Sequence, residues 1–162
     1  MAITKMQITL SSEVNGVLVE SVVEPRLLLI DFLRDHLNLK GAKRSCDMQV
    51  CGACTVLVEG IPVSSCTVPA FEIRGKNVVT IEGIATDAQM TPLTDSFIDN
   101  AALQCGFCTP GMVLATKALL DANPSPSKAE IQDYLRGNIC RCTGYKKIME
   151  AVQEVSEKIG DR

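Results

Sequence analysis

The chain has 162 residues, 46% hydrophobic and 22% charged; sixteen basic and nineteen acidic residues leave a formal net charge of −3. That is the make-up of a soluble globular protein of one ordinary domain or two small ones, and without a clustered basic surface no nucleic-acid partner is expected. Apolar runs such as Leu27–Ile30 are too short for a transmembrane segment, and Met1–Leu10 lacks the pattern of a secretory signal, so the expected location is cytoplasmic.

Gln7–Leu10 alternates weakly, Asn15-Gly16 follows, and Val17–Val23 resumes with β-branched residues, a hairpin signature. Pro25 opens a segment with Leu27, Leu28, Ile30, Phe32, Leu33 and Leu37, which predicts a helix of about three turns. Asn38–Val50 is polar and irregular, suited to a ligand-carrying loop. Thr55–Val58, Glu59-Gly60 and Ile61–Val68 predict a second hairpin, and Val78–Ile81 a last short strand. Two hairpins flanking a helix make a small mixed domain. The pattern changes over Glu82–Thr91, with Gly83, Asp87 and Gln89, which places a boundary there and divides the chain into residues 1–82 and 83–162. Beyond it Leu93, Phe97 and Ala101 predict a helix running up to Cys105. Thr109-Pro110 reads as an N-cap followed by a first-turn proline, opening a buried helix that Asn123–Pro126 breaks. Ser127-Lys128-Ala129-Glu130 is a capping box, with Gly137 ending the helix it opens. Ile148, Ala151, Val152, Val155 and Ile159 form the apolar stripe of a final helix.

Eight cysteines accompany a single histidine and no tryptophan. They fall into two quartets: Cys46, Cys51, Cys54 and Cys66, then Cys105, Cys108, Cys140 and Cys142. Without an export signal a disulfide framework is disfavoured, and Cys140 and Cys142 are too close for a relaxed bridge. Four thiolates suit zinc or an iron–sulfur cluster. In the first quartet, gaps of four and two residues followed by a distant fourth cysteine match the plant-type ferredoxin spacing. Gly52, between Cys51 and Cys54, suits a backbone that approaches the cluster closely. The second quartet, a C-x-x-C with a distant C-x-C, is compatible with zinc when taken alone.

Three segments carry a more specific likeness. Cys51-Gly52-Ala53-Cys54-Thr55-Val56, Gln104-Cys105-Gly106-Phe107-Cys108-Thr109-Pro110-Gly111-Met112 and Gly137-Asn138-Ile139-Cys140-Arg141-Cys142-Thr143-Gly144-Tyr145 together resemble the small iron–sulfur subunit of molybdenum hydroxylases. This family includes xanthine dehydrogenases, aldehyde oxidoreductases, carbon monoxide dehydrogenases and bacterial N-heterocycle hydroxylases. The likeness covers nearly the whole chain. It implies an α+β protein, with an N-terminal β-grasp, ferredoxin-like 2Fe–2S domain followed by a C-terminal four-helix 2Fe–2S domain. It further implies a large partner subunit with molybdopterin, as the cytosine dinucleotide, and a medium partner subunit with FAD, assembled as a dimer of heterotrimers. By the same resemblance the second cluster lies next to the pterin, which Gln104 and Cys142 contact, and the first lies nearer the flavin. Ser45 stands before Cys46 where the family often has glycine, a departure that touches the loop geometry but none of the four ligands.

On this reading the chain moves electrons singly between partners and carries no catalytic residue. His36, the only histidine, is expected on a solvated helix. Phe107 is expected to screen the second cluster from water, and the methionines to fill apolar gaps. Lys146-Lys147 reads as a solvated pair, while Glu24, Asp31 and Asp35 make an acidic patch only if their faces coincide. A free-standing two-cluster ferredoxin and a zinc-stabilised interaction module are the competing readings; the mild charge speaks against the first.

Overall fold

The computed structural model describes residues 6–87 and 91–160, with side chains as far as Lys158. Gln89 and the side chain of Ile159, both used in the sequence reading, lie outside the described residues. Five strands form one mixed sheet: β1 (Ile8–Val14), β2 (Val17–Val23), β3 (Thr55–Val58), β4 (Ile61–Ser64) and β5 (Asn77–Val79), in the order β2-β1-β5-β3-β4. The two outer pairs are hairpins, and β5 enters between them, parallel to β1 and antiparallel to β3. Asn15 and Gly16 both have positive φ, 53° and 78°, which is the two-residue turn whose twist matches flanking strands. Glu59-Gly60 closes the second hairpin in the same way.

β3 is an interior strand, between β5 and β4, and is buried on both faces, so its side chains serve two cores in alternation. Val56 packs with Leu10, Val78, Leu29, Phe32 and Leu33 under the first helix. Leu57, next along, packs with Met112 and Leu114 of the long helix α4 (Thr109–Ala122) in the other core. The remaining helices are α1 (Leu29–Asp31), α2 (Ile81–Ala85), α3 (Thr91–Asp99), α5 (Lys128–Tyr134) and α6 (Lys146–Gly160). Ile84, Phe97, Ile131, Ile148 and Val152 join α4 in that second core.

Several boundaries differ from the expectation. The three-turn helix from Leu27 is cut to α1 plus one π turn over Phe32–His36. Leu28 is extended (φ −78°, ψ 149°) because the backbone there is drawn into sheet-like pairing: Leu29 N donates to Val68 O at 2.7 Å, and Ala70 N to Leu27 O at 2.7 Å. The strand expected over Ile61–Val68 ends at Ser64, and a turn in which Thr67 N donates to Ser64 O places Cys66 beyond it. The strand expected to reach Ile81 stops at Val79, where Asn15 Oδ1 accepts from Thr80 N at 2.8 Å, and Ile81 opens the unforeseen α2. α3 ends six residues before Cys105. Ala101 turns left-handed (φ 50°) and the amides of Ala101 and Ala102 fold back onto Ile98 O and Phe97 O, the double bond pattern of a Schellman cap. At the start of α4 the N-cap is Cys108, not Thr109, with Pro110 in the first turn. The capping box is as expected: Ser127 Oγ accepts from Glu130 N, and Glu130 Oε2 from Ser127 N.

Candidate metal centres

All eight cysteines are free thiols, and each quartet assembles from loops at element ends. The first lies on the loop before β3 and the turn after β4. Arg34 holds its base by donating to Lys40 O and Ala42 O at 2.9 and 2.7 Å, and Lys43 N closes it on Ala53 O at 2.9 Å. Arg44 binds both Asp31 and Asp47 across the loop. Asp47 and Gln49 are left-handed (φ 54° and 62°), which turns successive amides inward as in an anion nest. Val50 N and Cys51 N each donate to Cys46 Sγ at 3.4 Å. Amides of Met48, Val50 and Cys51 together hold the Cys46 thiol down to about 6. Cys54 and Cys66 are buried beside Ile30, in contact with each other, and burial pushes Cys54 up to about 11.

The second quartet lies where α3, α4 and α6 meet their connecting loops. Cys105 Sγ and Cys142 Sγ are 3.5 Å apart, and both residues are exposed. Cys108 and Cys140 form the inner pair, with burial pushing Cys108 up to about 12. Burial would also raise Cys140, but the hydroxyl and amide of Thr143 (3.1 and 3.5 Å) and the Cys142 amide outweigh it, leaving that thiol below its ordinary range. Tyr145 (φ 67°) staples this loop: its hydroxyl accepts from Cys140 N at 2.9 Å, and its amide donates to Thr143 Oγ1 at 3.2 Å.

The thiols therefore meet in pairs: Cys46 with Cys51, Cys54 with Cys66, Cys105 with Cys142, Cys108 with Cys140. Two thiolates on one tetrahedral metal, at metal–sulfur distances of about 2.3 Å, lie roughly 3.7 Å apart. The 3.5 Å pair has that spacing. Among the described residues no three His, Cys, Asp or Glu side chains converge as they would on one ion. Pairs facing each other suit two irons joined by sulfide, and the donor set fits such a cluster at each place.

The other candidates are distributed plainly. Gln104 is exposed and precedes Cys105, whose sulfur meets that of Cys142; Leu103, Phe107 and Ile139 are exposed as well. Phe107 is 45% exposed, so the expected screen over the second site is largely open; Tyr145, half-buried against the helical core, covers the inner side. His36 is exposed beside the Phe32 ring. Glu24, Asp31 and Asp35 make no acidic patch, since each meets its own cation: Arg26, Arg44 and Lys40. Lys146 and Lys147 both reach Glu150. Sequence reasoning missed Thr143 and Asn138. Asn138 is buried and reaches back to Gly52, a contact across 86 positions that no local pattern encodes.

Comparison with known proteins agrees with this arrangement. Residues 12–78 match the model of the 2Fe-2S iron-sulfur cluster binding domain, and residues 80–153 that of the [2Fe-2S] binding domain. The nicotinate dehydrogenase small FeS subunit of Eubacterium barkeri is 43% identical over 152 residues, covering 94% of this chain and 97% of the relative. This chain is a small iron–sulfur subunit of the molybdenum hydroxylase family. Within that family, subunit beta of the 6-hydroxypseudooxynicotine dehydrogenase complex of Paenarthrobacter nicotinovorans is 48% identical over 143 residues, 88% of this chain and 89% of the relative. The crystal structure of quinoline 2-oxidoreductase from Pseudomonas putida 86 superimposes with a TM-score of 0.90 at 39% identity, covering 96% of this iron–sulfur subunit and 97% of that chain. The subunit is α+β, its sheet domain preceding its helical domain, and it works as the electron-transfer part of a multi-subunit oxidoreductase. No helix among the described residues is long and apolar enough to cross a membrane.

Proposed function

We propose that Cys46, Cys51, Cys54 and Cys66 hold one 2Fe–2S cluster and Cys105, Cys108, Cys140 and Cys142 the other. The observation that carries this is the pairwise approach of the thiols, with Cys105 and Cys142 at 3.5 Å. Each cluster accepts and releases a single electron, so two in series can pass on, one at a time, the pair that a molybdenum hydroxylase takes from its substrate. The chain's own residues hold the thiolates, point amides at sulfur to set its charge, and bury one side of each quartet. Cys46, the centre of the amide nest, and buried Cys54 and Cys66 give the first cluster two different environments, one polar and one apolar.

Electrons enter at the second cluster from molybdopterin, as its cytosine dinucleotide, on a large subunit, with Gln104 and Cys142 against the pterin. In support, that pair is exposed, and so are Leu103, Phe107 and Ile139, large apolar residues close in sequence to Cys105 and Cys140. They leave from the first cluster toward FAD on a medium subunit, the whole being a dimer of heterotrimers in the cytoplasm. We place the two domains at residues 1–82 and 83–162, a division that falls within α2, just after β5 ends at Val79.

Purification of the tagged chain from its native host tests the reading. Two larger chains should accompany it, one with molybdopterin and one with FAD. Iron and acid-labile sulfide should each reach about four per small subunit. A lone chain of its own size, or zinc in place of iron, overturns the assignment.

A further inference from the structure

The loops that carry the two quartets pack against each other and share a backbone hydrogen bond. Ile139 N donates to Cys51 O at 2.9 Å, and Ile139 is the residue before Cys140. A single hydrogen bond therefore links a cysteine of the first quartet to one of the second, with only covalent bonds on either side of it. Three groups fix that contact. Asn138, buried in the interior, donates from Nδ2 to Gly52 O at 3.2 Å and to Thr55 Oγ1 at 3.4 Å. Thr55 Oγ1 donates to the same Gly52 O at 2.7 Å. Gly111, in the first turn of α4, sits against that carbonyl so closely that a Cβ there would be 2.2 Å from it. Gly52 itself has no room for a Cβ, which would lie 2.4 Å from Gly137 O.

A buried side-chain amide that spends its donors on the Gly52 carbonyl and the Thr55 hydroxyl of the sheet domain is an expensive arrangement for packing alone. We propose that Asn138 is a positioning residue for electron exchange between the clusters. With Thr55 it fixes the Gly52 carbonyl, and so the Gly52–Ala53 peptide that directly follows the one whose Cys51 carbonyl accepts from the Ile139 amide. That bond gives a direct bonded route between the quartets. One electron crosses from the reduced 2Fe–2S centre to the oxidised one; no proton moves, and Asn138 gains and loses nothing. The inference rests on the ligand assignment made above.

The test uses the full, cluster-loaded chain and two variants, Asn138→Leu, which keeps bulk without donors, and Thr55→Val, which keeps shape without the hydroxyl. One electron is injected by pulse radiolysis, and its redistribution between the clusters is followed optically and by freeze-quenched electron paramagnetic resonance. Equilibrium potentials of both clusters are measured alongside. The expected result is a severalfold slower redistribution in Asn138→Leu and a smaller slowing in Thr55→Val, with iron content and both potentials unchanged. A purely structural role would leave the rate of a fully loaded variant untouched, and that outcome overturns the proposal. Loss of a cluster in both variants assigns the residues to assembly instead and overturns it equally. Failure of the ligand assignment is distinguishable, because the unaltered chain itself would then lack one of the two reduced-state signals.

Discussion

At the scale of single residues, the eight thiols are not equivalent, and their differences come chiefly from hydrogen bonds and burial. Cys46 sits at the centre of inward-turned amides and is held down to about 6, whereas burial pushes Cys54 up to about 11 and Cys108 to about 12. In the cluster-free chain Cys46 should accordingly react first with iodoacetamide. Its labelling rate should climb as pH rises through 6 and level off above it, because the thiolate is the nucleophile. Peptide mapping after limited alkylation at pH 7 reads this order directly; Cys54 or Cys108 labelled ahead of Cys46 would contradict it. Ligand replacement addresses the loaded protein. Cys105→Ser should lower iron from about four to about two per chain, remove the second cluster's reduced-state signal, and stop substrate-driven flavin reduction in the complex. Cys51→Ser should instead remove the other signal and leave electrons stranded short of the flavin. Normal flavin reduction by Cys105→Ser would break the series arrangement.

At the scale of elements, the helices end where the cysteines need loops, and each end has its own device. The left-handed Ala101 stops α3 so that Cys105 emerges on irregular backbone, and Cys108 caps α4 directly. The reciprocal Ser127–Glu130 box starts α5, which carries Ile131 into the helical core ahead of the 137–142 loop. Ser127→Ala removes one half of that box and should cost about 1 kcal/mol. Thermal unfolding should then fall by roughly 2–4 °C, with cluster spectra unchanged, since the cap touches no thiol. The stop of α3 and the cap of α4 lie away from the positions the sequence suggested, Cys105 and Thr109, whereas the Ser127–Glu130 box was legible in it because such a cap is local. The π turn over Phe32–His36, the early stop of β4 and the helix α2 were not. The first and the last depend on pairing with a distant segment, Leu28 with Pro69 and Thr80 with Asn15, while β4 ends in the turn that Thr67 N closes on Ser64 O.

At the scale of the whole molecule, β3 ties the domains together by sending Val56 into one core and Leu57 into the other. The junction beside it has no slack, as the Gly52–Gly111 contact illustrates. Gly111→Ala places a methyl 2.2 Å from a backbone oxygen that cannot move without disturbing Cys51. Overpacking of this kind costs about 1–3 kcal/mol, or roughly 2–4 °C in Tm for each kcal/mol at this chain length. Differential scanning calorimetry checks it, and a Tm equal to that of the unaltered chain would mean the junction yields more readily than its geometry implies.

Cysteine identity and spacing suggested the two proposed quartets, because ligand loops are short and their gaps are set by the reach of a few residues. The motif around Cys105–Met112 likewise carried the family, and patterning carried both domains. Which thiol faces which, how the amides are aimed at Cys46, and why Asn138 lies against Gly52 were decided only by the folded chain. Those contacts join segments up to 86 positions apart, and burial and orientation at such distances are properties of packing that no local run of residues encodes.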